Sequence, residues 1–281
     1  MFRVRKIDSF DLPELQPYRT MRRQEDHKRQ GIFVAEGEKV VRRLIESDLG
    51  LVSVLLPEQW LPSLAPRLKA RPEMVEVFVA DKALLETLTG FSMYQGLLGV
   101  GRVPASKTIE EVLHGAAPKS SSRTPRLLAA VDSLTSAENL GALVRNCVAF
   151  NAGALILGET CVSPFLRRAV RSSMGTVFQL PLVEPKRLVD ALKQLRVAGV
   201  RVIGAHPRPD SPALLWDADL ASDCCLVFGS EGLGLSPEVI AACDETVAIP
   251  MPPTVDSLNV ASAAGVFLYE AARQRPKMRG G

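Results

Sequence analysis

From residue 126 onward the chain repeats one alternation: a short, continuously apolar run, then a segment with helical spacing. The apolar runs are LLAAV (127–131), ALIL (154–157), VFQL (177–180), VRVIGA (200–205), CCLVF (224–228) and TVAI (246–249). Runs that are apolar at every position, rather than at alternate ones, suit strands covered on both faces, as in a parallel sheet. Between and after them, ENLGALVRNCVAF (138–150), PKRLVDALKQLRVAG (185–199), SPEVIAAC (236–243) and SLNVASAAGVFLYEAARQ (257–274) carry helical periodicity. Parallel strands need crossover connections, so the alternation predicts an α/β domain with helices packed on a parallel sheet.

The chain has 281 residues, enough for two domains. Ahead of the alternating region lie the β-rich runs LVSVLL, VEVFV and LLGVGRV and a helix predicted over 36–47. Between the two regions, residues 104–125 contain three prolines and a serine triplet, with helical periodicity for only one short turn. This stretch reads as a linker. The expected division is 1–103, a linker at 104–125, and 126–281.

Several classes are excluded. With 47% hydrophobic residues the chain has ample material for a core, so disorder is not its general state. No apolar run approaches the roughly 18–20 residues needed to cross a bilayer, and the start MFRVRKIDSF lacks the apolar stretch of a secretory signal. Five cysteines without a CxxC pair, two of them inside the apolar run CCLVF, argue against a disulfide framework or a metal site and for a reducing, cytoplasmic setting. The net charge is only +3, but basic residues cluster: Arg19, Arg22, Arg23, Lys28 and Arg29 in one run, Arg167, Arg168 and Arg171 in another, and four in the tail at 273–281. Each cluster alone reads equally well as a solvated surface; three together point to a polyanion such as RNA.

In α/β sheets ligands bind beyond the carboxyl ends of strands, which singles out three loops. After LLAAV, Asn139, Gly141 and Arg145 stand at the start of a helix, where Asn139 serves either as a cap or as a ligand group and Arg145 either pairs on the surface or forks a phosphate. After CCLVF, the sequence GSEGLGLSPEV offers Gly229, Ser230, Gly232 and Gly234 for a tight backbone turn around Glu231. A dinucleotide fingerprint read from Gly232 would need glycine at Pro237, and no P-loop lysine follows. Glu231 would repel a phosphate, so a cation or a hydroxyl suits this loop better. After TVAI, the run PMPPTVDSLN delivers Ser257 and Asn259 to a helix rich in small residues, which permits close packing of another segment or subunit.

Taken in order, N-x-G-x-x-x-R, G-S-E-G-x-G-L-S-P and I-P-M-P…S-L-N resemble the three motifs of the SpoU/TrmH family, RNA ribose 2′-O-methyltransferases of the SPOUT superfamily. The resemblance extends over essentially the whole chain. It implies a C-terminal SPOUT domain with a deep trefoil knot, preceded by a small L30e-like RNA-binding domain. It further implies S-adenosyl-L-methionine as cofactor, held near Gly229, Ser230, Gly234, Ile249, Met251 and Leu258. By the same resemblance Asn139, Arg145, Glu231, Ser257 and Asn259 take catalytic or substrate-positioning roles, and Arg19, Arg22, Arg23, Lys28, Arg29, Arg168 and Arg171 contact RNA. The implied partners are ribosomal or transfer RNA and a second copy of the chain, paired through its C-terminal domain, with no membrane and no metal. Pro253 stands where the family often has glycine and Ala261 where serine is common, both beside the cofactor loop.

The expected reaction is attack of a ribose 2′-hydroxyl on a sulfonium methyl. An arginine is protonated below a pH of about 12, so Arg145 fits a phosphate clamp better than a base. The rival readings are a non-catalytic RNA-binding protein of the same fold, a nicotinamide enzyme, and a hydrolase. Intact motif residues weigh against the first, the failed glycine pattern against the second, and the absence of G-x-S-x-G against the third. Of the three histidines, His27, His114 and His206, only the last follows a strand at the mouth of the expected site.

Overall fold

The computed structural model describes residues 1–89, 96–115, 125–206, 213–252 and 254–275. The chain forms two compact units, Met1–Ala105 with Ser163–Gln179, and Ser106–Val162 with Leu180–Gly281.

The first unit is built on five strands, β1 (Phe2–Lys6), β2 (Ile32–Glu36), β3 (Leu51–Leu56), β4 (Val75–Val79) and β5 (Leu98–Arg102), in the order β1-β4-β3-β5-β2. The β1, β4 and β3 neighbours pair parallel, whereas β5 runs antiparallel to both β3 and β2. Helices α1 (Gln16–Arg19), α2 (Gln24–Gln30), α3 (Glu38–Glu46), α4 (Leu61–Lys69) and α5 (Lys82–Thr89) connect them. Helix α3 falls within the window expected from the sequence and buries Val40, Val41, Leu44 and Ile45. The core gathers Leu15, Tyr18, Val34, Leu55, Phe78 and Val100, and the Tyr18 and Ser53 hydroxyls share a buried hydrogen bond of 2.8 Å.

Residues 163–179 overturn the expectation of a strand at 177–180. They belong by contact to this first unit, although the sequence division places them in the C-terminal domain. They form a helix followed by a 3-10 turn at Thr176–Gln179, so VFQL is not a strand. The reason is local and tertiary together. Met174 and Gly175 take left-handed backbone, with φ of 55° and 76°, which ends the helix and turns the chain into the 3-10 segment. The apolar side chains then face another core: Phe33 of β2 lies between Phe165 and Phe178, at ring separations of 5.0 and 5.4 Å. Gly101 makes room for Phe33, since a Cβ there would lie 2.5 Å from its ring. The Arg167 guanidinium donates to the Glu36 carboxylate, and Arg43 Nη1 donates to the Met174 carbonyl at 2.5 Å.

The second unit opens with α6 (Ile109–Gly115), inside the stretch read as a linker. Thr108 and Glu111 form a reciprocal cap, with the Glu111 N–H donating to Thr108 Oγ1 at 3.1 Å and the Thr108 N–H donating to Glu111 Oε2 at 2.8 Å. Ile109 and Val112 enter the core beside Leu188, Leu192 and Leu195. That part of the expected linker is structural; residues 116–124, with the serine triplet, lie outside the described residues. The unit continues through β6 (Leu127–Val131), α7 (Ala137–Ala149) and β7 (Leu155–Leu157). After the inserted segment, whose helix is α8 (Arg167–Ser172), come β8 (Leu182–Val183), α9 (Leu188–Val197), β9 (Arg201–Ala205), β10 (Ala213–Leu214), β11 (Cys224–Phe228), α10 (Pro237–Ala242), β12 (Glu245–Ala248) and α11 (Val260–Gln274). The described strands form one sheet in the order β10-β12-β9-β11-β6-β7-β8, and every pairing is parallel. The α/β fold with a parallel sheet expected from the alternation is therefore present, although the apolar run at 177–180 contributes no strand to it. Among the described residues no helix is long and apolar enough to cross a membrane.

Removing the Phe33 ring tests where residues 163–179 belong. Phe33→Ala is expected to cost about 3–5 kcal/mol of stability, as for a buried aromatic truncated in a core. It is also expected to open residues 163–179 to limited proteolysis. Denaturant unfolding and cleavage mapping would check both; a cleavage pattern identical to wild type would mean that the segment is anchored elsewhere.

Candidate active site

Strand β11 is inserted between β6 and β9, late in the chain but near the middle of the sheet. This arrangement brings the loops after β9, β11 and β12 to one edge. They enclose a cavity of about 280 Å³. Its wall combines the backbone of Gly229, Ser230 and Gly234 with the apolar side chains of Ile249, Met251 and Leu258, while Glu231, Asp256, Ser257 and His206 add polar groups. Every expected cofactor-loop residue thus lines one cleft.

The glycine loop after β11 is closed on itself. Ser230 and Gly234 exchange two backbone hydrogen bonds of 3.1 and 3.0 Å. Gly229 is obligatory for that closure, because a Cβ there would stand 2.1 Å from the Gly234 carbonyl carbon. Gly234 itself has a φ of 69°, so both ends of the loop need glycine.

Helix α7 is capped by Ser136, whose hydroxyl accepts the Asn139 N–H at 3.3 Å. The cap reading of Asn139 is therefore wrong, and its amide is left for other work. Its Nδ2 donates to Glu231 Oε1, and its Oδ1 accepts from Asn259 Nδ2 at 3.0 Å. Asn259, not Ser257, caps α11, accepting the N–H groups of Ala261 and Ser262 at 3.0 and 3.4 Å. The three motifs are thereby joined in one directional chain from the α11 cap through Asn139 to the Glu231 carboxylate. Because Asn259 Oδ1 is committed to helix amides, its Nδ2 must face Asn139, which in turn points the Asn139 donor at Glu231.

Helices α7 and α11 pack closely. Asn146 Nδ2 donates to the Ala261 carbonyl at 2.7 Å, and a Cβ on Gly265 would lie 3.2 Å from the same nitrogen. The small residues of α11 thus admit a segment of this same unit. Alanine at 261 is accommodated because the cap uses only its backbone N–H; Pro253 lies outside the described residues.

Not every expected residue joins the cleft. Arg145 is exposed on α7 and lines none of the cavity. Arg19, Arg22, Arg23, Lys28 and Arg29 lie exposed on and between α1 and α2, and Arg168 and Arg171 lie exposed on α8, all within the first unit. Arg29 pairs with Asp26, and Arg171 lies 3.7 Å from Glu36. His27 is buried with Nε2 at 3.1 Å from the Pro17 carbonyl, and burial lowers its pKa. His114 Nδ1 lies 2.7 Å from the Glu110 carbonyl, a local helix contact. Burial pushes the thiols of Cys147 and Cys243 up to about 12, which leaves them protonated and unreactive at neutral pH. Asp256 and Asp132 were missed by motif reading; a lone aspartate in a loop or at a strand end gives no pattern to find.

Asn259 has two separable duties, which two substitutions distinguish. Asn259→Ala is expected to lose the α11 cap, at a cost of about 0.5–2 kcal/mol, and the donor to Asn139. Asn259→Asp keeps the cap, loses the donor, and sets a second carboxylate toward the network. Thermal unfolding should place Asn259→Asp near wild type with Asn259→Ala below both. Equal destabilisation by the two would refute the assigned cap.

Comparison with known proteins agrees with this geometry. The sequence model of the SpoU rRNA Methylase family matches residues 126–269. An uncharacterized tRNA/rRNA methyltransferase of Mycobacterium leprae is 32% identical over 244 residues, covering 87% of this chain and 71% of its own. The SpoU methyltransferase AviRb from Streptomyces viridochromogenes, crystallised in complex with AdoMet, superposes with a TM-score of 0.76 at 26% identity, over 94% of this chain and 98% of its own. An rRNA methyltransferase from Sinorhizobium meliloti shares the fold at a TM-score of 0.80 and 24% identity, over 96% of this chain and 98% of its own. With the three motifs joined by the hydrogen bonds of Asn259, Asn139 and Glu231 and the family's sequence model matching residues 126–269, the chain belongs to the SpoU rRNA methylase family.

Proposed function

We propose that the protein transfers a methyl group from S-adenosyl-L-methionine to a ribose 2′-hydroxyl of ribosomal or transfer RNA, ribosomal RNA being the favoured substrate. The observation that carries this reading is the directional chain Asn259–Asn139–Glu231 at the rim of a cleft at the carboxyl ends of β9, β11 and β12. The cleft suits the cofactor chemically. Apolar Ile249, Met251 and Leu258 offer a surface for an adenine ring, the tight backbone at Gly229–Gly234 offers peptide groups, and the carboxylates of Glu231 and Asp256 suit a cationic ligand. When bound, S-adenosyl-L-methionine supplies an electrophilic methyl group on a sulfonium.

The protein's own groups then have definable tasks. Glu231, held from one side by Asn139, keeps an acceptor at the cleft to take a hydrogen bond from the ribose hydroxyl and fix its direction. Methyl transfer would form the oxygen–carbon bond, break the carbon–sulfur bond to release S-adenosylhomocysteine, and free the hydroxyl proton, for which the Glu231 carboxylate is an acceptor within the same network. Ser257 lines the cleft and offers a hydroxyl as donor or acceptor beside it. Arg145 lies outside the cavity on the exposed face of α7, a position suited to a phosphate next to the reacting ribose. Much of the rate would come from alignment of hydroxyl and methyl.

The first unit supplies the RNA-binding surface in this reading, through Arg19, Arg22, Arg23, Lys28, Arg29, Arg168 and Arg171. The L30e-like character and the trefoil knot implied by the resemblance belong to the same proposal, as does a cytoplasmic homodimer. An exposed stripe of Val266 and Tyr269 on α11 supports pairing through the second unit.

Labelled S-adenosyl-L-methionine and cellular RNA test the activity, with mass spectrometric mapping of 2′-O-methylation to locate the nucleotide. Arg145→Ala is expected to abolish transfer without unfolding the protein. Replacing Arg19, Arg22 and Arg23 together is expected to weaken RNA binding and flatten its salt dependence by a log–log slope of roughly 0.7 per lost contact on a single strand. Near-normal turnover by Arg145→Ala would overturn its assignment, and an unchanged salt slope would remove the basic run from the interface.

A further inference from the structure

Asp132 follows β6 and is only 7% exposed, yet it lies outside all three motifs. A carboxylate taken out of water is costly unless its oxygens are bonded, and both of these are. Oδ2 accepts the Ser236 N–H at 2.8 Å, and Oδ1 accepts the Ser133 hydroxyl at 2.9 Å. The Ser133 oxygen in turn accepts from Thr160 Oγ1 at 2.9 Å. Asp132 also donates its own N–H to the Phe228 carbonyl at 2.8 Å, extending the β6–β11 pairing by one step.

These contacts surround the glycine loop. Residues 230–234 are closed by the two Ser230–Gly234 bonds and behave as one small body. It is attached at one end to β11, and at the other to Ser236, whose N–H is held by Asp132. Ser236 makes no capping bond with its own hydroxyl, so the Asp132 carboxylate supplies the polar anchor at that end. Glu231 rides on this body and must meet Asn139, which belongs to the helix that starts after Asp132. A shift of the loop about its β11 attachment would carry Glu231 away from Asn139.

We infer that Asp132 is a positioning residue that fixes the glycine loop through Ser236 and so holds Glu231 in register with Asn139. This rests on the methyl-transfer reading for its kinetic consequence, but the anchoring itself is independent of any activity. Asp132→Ala is expected to lower kcat by roughly tenfold to a hundredfold, as small misplacements of reacting groups do, with KM for RNA little changed. Asp132→Asn keeps an uncharged acceptor for the Ser236 N–H and should stay within about threefold of wild type, since a neutral hydrogen bond replaces a charge-assisted one. Because Asp132 acts through Glu231, its loss should add nothing once Glu231→Ala is present, a non-additivity read from single-turnover rates with excess enzyme.

Two controls accompany the kinetics: the melting transition and calorimetric titration with S-adenosylhomocysteine, both on the full chain. Independent losses that multiply in the double variant would overturn the proposal. So would unchanged kcat in Asp132→Ala, or loss of S-adenosylhomocysteine binding together with the melting transition, which would make Asp132 a general stabiliser. Should the wild-type protein transfer no methyl group, the proposed function fails, and hydrogen exchange then decides the anchoring alone. Asp132→Ala is expected to speed exchange at Gly234 and Ser236 by roughly tenfold or more, with the β6 and β11 amides unmoved. Unaltered exchange in the loop would overturn it.

Discussion

Placing β11 between β6 and β9 is the constraint on which the site depends. Parallel pairing aligns the carboxyl ends of neighbouring strands, so the loops that follow β6, β9 and β11 must leave the sheet on the same side. With β12 paired to β9, the fourth loop leaves there as well. No one of these loops forms a cavity alone. The strands are continuously apolar because helices cover both faces of such a sheet, and this burial holds the register that the polar loops exploit.

On that frame, a few polar groups settle one another's orientation. The Asn259 oxygen satisfies two otherwise unpaired N–H groups at the start of α11, and this obliges its nitrogen to turn outward to Asn139. Ser136 caps α7 and so releases Asn139 from that duty. A helix cap is thus a stability device that here also fixes the direction of the hydrogen-bond chain to Glu231. The same economy holds at Gly229, where the missing Cβ both permits the loop to close and leaves peptide groups facing the cleft.

The first unit shows how a segment can leave its neighbours in sequence. Residues 163–179 sit between two stretches of the second unit but bury Phe165, Val170, Val177 and Phe178 with β2 and α3. Glu36, side-chain exposure 10%, receives Arg167 there, with Arg171 at its edge. Two of the seven arginines and lysines proposed for RNA thus sit on a helix whose position is set by aromatic packing and an ion pair at its buried side.

The amino-acid sequence by itself determined the α/β class, most of the strands and helices of the second unit, and the loops that would carry chemistry. These are properties of local pattern: unbroken apolar runs, 3.6-residue periodicity, and the glycines and prolines that punctuate them. The T-x-x-E cap at Thr108 was equally legible, and would have marked α6 inside the presumed linker. Only the tertiary structure decided which side chain does which task. Asn139 and Glu231 are 92 positions apart, and Asn259 is a further 28 along, so no spacing rule reports that their amides and carboxylate meet. Periodicity likewise marked 177–180 as buried without saying in which core. An apolar pattern records that a face leaves water; what it meets there depends on strand order and loop closure, which are set by contacts between residues remote in the chain.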